Sequence, residues 1–449
     1  MAIDNREDLS LKRNQIIKIY GEDYREMTKQ LLAAADLISR IPDKNCRIGI
    51  KPNLVAPTPA FLGATTHPEV VAGIIEYLQE YGCRNLTIAE GSWVGDCTSE
   101  AMEVCGYCEL AEKYGVRLID AQKEGSFEKD CGGLKLRLTE CVKEFDFLIN
   151  VPVVKGHCQT KITCALKNMK GLLPNAEKRH FHAMGLHRPI AHLALGIHQD
   201  FIVGDHICGD LDFEDGGNPV VRNCIMAAAD PVLLDAYVCN LLHYDCNEVP
   251  YIGMAEALGA GSADLKNVQV AVCERKERNC HAADMDLTEE RTEAEKECTD
   301  SEADTAQISD GNCFCASSAE VLKSSSRTGK LSEKECDEGV QLHFLSGDAI
   351  WDEEIPYAQK VVAVRDVVEE VESCSACYGS LLPVLDRLKE EGLLGALQEK
   401  ICIGQGYRGK SGQLGVGLCT SGFAYCIKGC PPSEEEIYEG LKRYLAEQR

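Results

Sequence analysis

Along residues 1–275 the apolar positions follow two alternating patterns: short runs that suit a buried strand, and longer stretches with the spacing of one helix face. Cys46-Arg47-Ile48-Gly49-Ile50 reads as a strand running into the turn Lys51-Pro52-Asn53. Thr66-His67-Pro68-Glu69 then opens a helix, with Thr66 placed to cap it, Glu69 to complete a capping box, and Pro68 suited to the first turn. The repeat VVAGIIEYLQEYG carries that helix to Gly82, a natural stop. A strand over 85–89 halts at Glu90-Gly91-Ser92, a helix is predicted over 99–114, and strands follow over 116–120 and in Phe147-Leu148-Ile149-Asn150-Val151-Pro152. Residues 201–204 read as an apolar strand ending at Asp205, and Asp230 as the cap of a helix that holds Asp235. The rhythm predicts an α/β fold built on a mostly parallel sheet with helices on both faces. Ligands of such sheets lie beyond the carboxyl ends of the strands. Lys51, Asn53, Glu90, Ser92, Asp120, Asn150, Lys155 and His157 all fall there.

The pattern breaks over 276–345. Between Asp284 and Asp310 eleven acids stand against two bases, with few large apolar residues, which predicts an acidic insert or linker. Order returns over 346–449. A helix follows Cys377, a strand begins near Lys400, a glycine-rich stretch comes next, and a last helix starts at Ser433, together a smaller α/β module.

Charge changes the picture by exclusion. Acids number 72 and bases 47, a net charge of −25, so nucleic-acid binding is not expected. No run reaches the ~18 apolar residues of a membrane span, and the opening MAIDNREDLSLKRNQ lacks a secretory apolar region. A soluble, cytoplasmic protein is the expectation. Its 25 cysteines are an odd count, in a chain of 449 residues large enough to bury its own core and with no secretory segment evident, so a disulfide framework is not expected. Cys46, Cys83, Cys141, Cys164, Cys224, Cys239 and Cys273 sit singly among apolar residues and read as core packing, consistent with a reducing, anaerobic cell.

The last cysteines differ. Cys374-Ser-Ala-Cys377 gives two thiolates from one tight turn, while Cys419 and the Gly429-Cys430-Pro431-Pro432 loop can supply two more, the four that a [4Fe–4S] cluster takes. Ser433 and Glu436 form a capping box directly after Cys430, placing a helix N-terminus beside an anionic centre. The expected ligands are Cys374, Cys377, Cys419 and Cys430, with Cys426 as the rival of Cys419 and Cys402 assigned to the core. Zinc is the chemical alternative to the cluster.

Cys-x-x-Cys followed far downstream by Gly-Cys-Pro-Pro resembles the proximal-cluster pattern of hydrogenase small subunits and their relatives in respiratory complex I, over the motif alone. A wider resemblance is to the DUF362 family of uncharacterised, iron–sulfur-associated proteins. It is carried by IGIKPNLV at 48–55, THPEVVAGIIEYLQEYG at 66–82, IAEGS at 88–92, INVPVVKGHCQTKITCALKNMKGLLP at 149–174 and IGQGYRGKSGQLGVGLCTSGFAYCIKGCPP at 403–432. Two departures stand out: Glu214-Asp-Gly-Gly-Asn218-Pro219 replaces the family's usual glycine-rich segment, and the acidic insert is long. The resemblance implies a fold and a cluster, and no reaction.

Two active functions follow, beside a third reading as a zinc-stabilised binding module with no redox role. In one, the cluster passes single electrons to a substrate or to a basic redox partner drawn by the acidic surface. In the other, the large domain is an enzyme for a small anionic substrate. Lys51, Asn53, Glu90, Ser92 and Lys167 are its expected binding residues, and Lys155, His157 and Asp205 its expected catalytic residues. Lysines at 155, 161, 167 and 170 make this the most basic stretch of the chain, and His180, His182, His206, Asp205, Asp210 and Asp212 are noted as a candidate nitrogen/oxygen metal set.

Overall fold

The structure is a computed structural model and describes residues 11–212, 214, 216–275, 333–336, 340–351, 355, 363–373 and 375–448. The chain divides into two compact units, residues 1–274 with 329–449, and residues 275–328. Almost all of the second lies outside the described residues, as do Cys298, Cys313, Cys315 and Cys374.

The first unit is built on a ten-stranded sheet. From one edge to the other its strands are Glu333–Cys336, Val340–Phe344, Gln269–Arg275, Gln15–Tyr20, Pro219–Ala228, Phe201–Asp210, Phe147–Asn150, Ile48–Lys51, Leu86–Glu90 and Arg117–Asp120. The last five run parallel, while Pro219–Ala228 is antiparallel to both its neighbours. Side-chain alternation assigns each strand two faces. Ile16, Leu148 and Ile202 enter one apolar core with the helix Pro231–Leu241, whereas Ile17, Ile149 and Val203 enter the other with Tyr24–Ala34 and Pro68–Glu80. The sheet is therefore covered on both sides, as its continuous apolar strands require. All seven cysteines read as packing are buried.

A smaller parallel sheet, Val368–Glu370, Ile401–Ile403, Leu414–Val416 and Tyr425–Ile427, belongs to the same compact unit. The helices Ser375–Glu390 and Glu434–Glu447 pack on it through Leu381, Leu385, Ile437 and Leu441. The Ser433–Glu436 capping box forms, and Asp230 caps its helix through Val232 and Leu233 N–H.

Several local expectations change. Thr66 does not cap the helix at Pro68. Its hydroxyl donates to Val151 O and accepts from Asn53 N–H, and His67 takes the cap position. The helix over 99–114 is two helices, Thr98–Val104 and Tyr107–Tyr114, parted where Gly106 turns at φ 77°. Asp205 does not end its strand, which runs on to Asp210 because pairing with Pro219–Ala228 continues. Cys402 points away from the core between buried Ile401 and Ile403 and is half-buried. The end of the expected linker, Val340–Phe344, is a strand of the large sheet.

Candidate functional site

The parallel register aligns Lys51 with Asn150 and Glu90 with Asp120, so the carboxyl ends of four adjacent strands open on one side. A cavity of about 110 Å³ lies there. Of the residues expected to bind, Asn53, Glu90, Ser92 and Lys167 line it, while Lys51 sits directly behind. Lys170, Lys178, His182 and Glu214 also line it, and Gly379 and Ser380 of the C-terminal module complete the wall.

Its floor is a buried hydrogen-bond network. The Lys51 amine donates to Glu90 Oε2 (2.5 Å), Pro52 O (2.7 Å) and Asn168 Oδ1 (3.2 Å). Those are all the donors an ammonium has, so Lys51 is saturated. Asn168 continues the chain to Asn150 Oδ1, and Asn150 to Ala165 O and Gln199 Oε1. Glu90 also accepts from Gly91 N–H (2.7 Å) and Leu54 N–H (3.3 Å). Gly171 permits this closeness, because a Cβ there would lie 1.9 Å from Glu90 Oε1 and 2.6 Å from Lys51 Nζ. Two ions this deep persist only when paired and fully hydrogen-bonded, as these are.

A second network centres on Glu214. Its carboxylate meets His157 Nε2 at 2.8 Å and Lys167 Nζ at 3.0 Å, and its carbonyl accepts from Lys155 Nζ at 2.6 Å. Burial disfavours its charge, yet the His157 contact and the Lys167 and Lys155 amines hold it well below the usual carboxylate range. His157 Nδ1 accepts two backbone N–H groups, from Gln159 and Thr160, each at 3.1 Å. That nitrogen therefore carries no proton, and the neutral ring donates from Nε2 to Glu214. Burial agrees, lowering the His157 pKa to about 4. Lys155 and His157 thus position Glu214 and stand behind the cavity.

Asp205 belongs elsewhere. Its carboxylate accepts from His67 backbone N–H (2.8 Å), lies 2.9 Å from His67 Nδ1, and accepts from Ile207 N–H (3.1 Å). His67 Nε2 is 3.6 Å from the Cys208 sulfur. Asp205 is 1% exposed and does not line the cavity. Among the described residues no group of three His, Cys, Asp or Glu side chains stands close enough together to hold a metal ion, so neither the scattered histidines nor Cys377, Cys419 and Cys430 form such a group.

The lysines on the cavity wall are the residues that sequence reasoning undervalued. Lys178 donates to Gly91 O (2.9 Å) and Ser92 O (2.7 Å), and Lys167 to Thr163 Oγ1 (3.1 Å) and Glu214. Burial lowers the Lys178 pKa to about 8 and the Lys170 pKa to about 7, the latter helped by neighbouring Lys167. His182 is pushed to about 3 by burial and by Lys170, and its Nδ1 has no partner. Lys170 was visible in the basic stretch and Glu214 only as the start of the departing glycine-rich segment; Lys178 carried no signal beyond its residue type.

The C-terminal thiols adjoin this wall. Cys377 lies in the first turn of Ser375–Glu390, two residues before Gly379, where the helix dipole favours a thiolate. Its sulfur is 3.6 Å from the Cβ position of Gly417. Gly417 N–H donates to Ile427 O (2.8 Å) and Leu418 N–H to Gly429 O (2.9 Å), which ties the Cys419 turn to the Cys430 loop. The segments of Cys419 and Cys430 are thus clasped to each other and Cys377 stands beside Gly417, a thiol chemistry of the kind an iron–sulfur centre takes, although the three sulfurs do not stand together as a ready-made metal site. Cys426 Sγ is occupied with Gly417 O and Thr420 Oγ1, both at 3.5 Å. Gln159, two residues from His157, donates to Ser373 O and Oγ, and Cys158 packs on the module's core.

Fold and site define an α/β protein with a polar cavity at its strand ends. Residues 48–240 match the model of DUF362, a domain of unknown function, and the chain carries a domain of that family. It is similar to the thylakoid-associated protein sll1697 of Synechocystis sp., 26% identical over 221 residues, 47% of this chain and 68% of that one. Among solved structures it is similar to the lactate racemase apoprotein of Thermoanaerobacterium thermosaccharolyticum (14% identity, TM-score 0.35, 50% of this chain and 56% of that one). A protein of Thermotoga maritima is another such structure (13% identity, TM-score 0.33, 54% and 60%). The chain spans less than two thirds of either solved structure. No helix among the described residues is long and apolar enough to cross a membrane.

Proposed function

We propose that this chain is a cytoplasmic iron–sulfur protein that binds a small anionic molecule in the lysine-lined cavity, with one [4Fe–4S] cluster on Cys374, Cys377, Cys419 and Cys430. The supporting observation is that one helical turn serves both places: Cys377 belongs to the thiol set, and Gly379 and Ser380 line the cavity. When bound, such a cluster supplies or accepts one electron at a time. The protein's own residues do the rest. Lys167 and Lys178 hold the anion, the Lys51–Glu90 and Glu214–His157 networks fix the lysines, and burial excludes water.

Anaerobic purification tests the cluster: a broad visible absorption bleached by dithionite, with matching iron and sulfide, is expected, and stoichiometric zinc would refute it. Calorimetric titration with pyruvate, lactate and inorganic phosphate tests the cavity. Binding of at least one anion that K167M abolishes is expected; no binding, or binding indifferent to K167M, refutes it. A basic protein partner is the secondary expectation of the −25 charge, and its association should weaken as salt rises.

A further inference from the structure

Four lysines sit around the cavity with their amines in different states of engagement. Lys51 spends all three donors on protein acceptors. Lys167 and Lys178 spend two each, which leaves each one N–H for a ligand. Lys170 also lines the cavity, yet among the described residues its amine neither donates a hydrogen bond nor forms an ion pair. A half-buried lysine that reaches into a cavity and binds nothing there has no structural task.

We propose that the Lys170 amine is a covalent anchor that condenses with the carbonyl of a small 2-oxo acid whose carboxylate is held by Lys167 and Lys178. This rests on the anion-binding reading above and names its substrate class. The amine must be neutral to attack, and its surroundings favour that form: burial disfavours the charge most, and Lys167 and Lys178 repel a third positive charge. Glu214 and Cys158 oppose the shift, but Glu214 is already occupied by His157 and Lys167. The balance leaves the Lys170 pKa at about 7, against a usual ~10.4 for lysine.

The step balances without a further reactant. The Nζ lone pair forms a C–N bond to the carbonyl carbon as the C=O π bond breaks, and one of the two amine protons passes to the carbonyl oxygen. The nitrogen then gives up its proton as the C–O bond breaks, leaving a C=N bond and one water molecule. Nothing is oxidised or reduced. His182, neutral and with an unpartnered buried Nδ1 on the same wall, offers a hydrogen-bond acceptor for the hydroxyl of the addition intermediate. The volume, about 110 Å³, has room for a small group of waters and suits an acid of a few heavy atoms.

The experiment is reductive trapping on the full-length protein. Pyruvate is added with sodium cyanoborohydride, and the product is read by intact mass and peptide mapping, beside K170R and K167M variants whose folding is checked by thermal melting. The expected result is one adduct on the Lys170 peptide, absent in K170R and strongly reduced in K167M. An adduct spread over surface lysines and unchanged in K170R overturns the proposal. Calorimetry with lactate, which has no carbonyl, separates the two levels. Lactate binding without a Lys170 adduct removes the imine and keeps the anion site; neither binding nor adduct removes both.

Discussion

The cavity and the cysteine module organise reactive groups in opposite ways. Around the cavity, order comes from side chains: Lys51, Glu90, Asn168, Asn150, Glu214, His157 and Lys167 hold one another through buried hydrogen bonds. Around the thiols, order comes from backbone clasps such as Gly417 to Ile427 and Leu418 to Gly429, with sulfurs half-buried or exposed. The first site is complete as protein and is damaged by removing a partner. The second is a frame whose final geometry a bound inorganic centre would set, and it is damaged by removing a ligand.

Four measurements would break or sharpen that contrast. The largest effect is expected from C377S or C430S, which should reduce bound iron and sulfide to background. C402S and C426S should retain both, since Cys402 faces away from the core and Cys426 is hydrogen-bonded inside its own loop. Loss of iron in C426S alone would move the ligand assignment. Next, E90A strands the Lys51 ammonium and should cost about 3–5 kcal/mol in urea unfolding, while the double change K51M/E90L should recover much of it. Equal costs for single and double variants would show that the pair is not the organising element.

The third concerns His67 and Asp205. Burial alone would lower the His67 pKa, but the Asp205 carboxylate at 2.9 Å overrides it and raises the value to about 10. A histidine raised in the folded state lends stability that is full below its unfolded pKa of ~6.5 and fades as pH climbs towards 10. Asp205 is lowered despite its burial, so its share is present above ~3.8 and fades only in acid below that. Stability should therefore decline between pH 7 and 10 in the wild type, and H67Q should flatten that limb. Identical alkaline limbs would exclude the pair as its cause. The smallest effect is expected from G171A, whose methyl group must displace Glu90 and Lys51, costing about 1–3 kcal/mol by thermal melting and weakening anion binding.

Much of this was legible from residue order, and the failures have physical causes. Lys51 and Glu90 announced themselves because an apolar strand that stops at a charge marks a sheet edge, and the parallel register then set them side by side. Lys167 was legible as part of the densest basic stretch. Lys178 was not, because a helix lysine in NAEKRHFHAM reads as solvated until the packing turns it toward Gly91 and Ser92. Thr66 matched a capping signature, yet Val151 O and Asn53 N–H offered its hydroxyl buried partners that outcompeted the helix end. Asp205 looked terminal because polarity breaks an apolar run; only the antiparallel partner strand shows that the ladder continues. Of the four expected ligands, Cys419 and Cys430 lie on segments clasped to each other, Cys377 stands beside Gly417, and Cys374 lies outside the described residues.

The central claim is that a carboxylate-binding cavity and a cysteine-held cluster share one wall. The most direct measurement is electron paramagnetic resonance of the anaerobically purified, dithionite-reduced protein with and without pyruvate. The account predicts an iron–sulfur signal whose line shape changes on adding pyruvate, and no change in K167M, which keeps its iron. A signal indifferent to pyruvate while calorimetry shows it bound would contradict the claim.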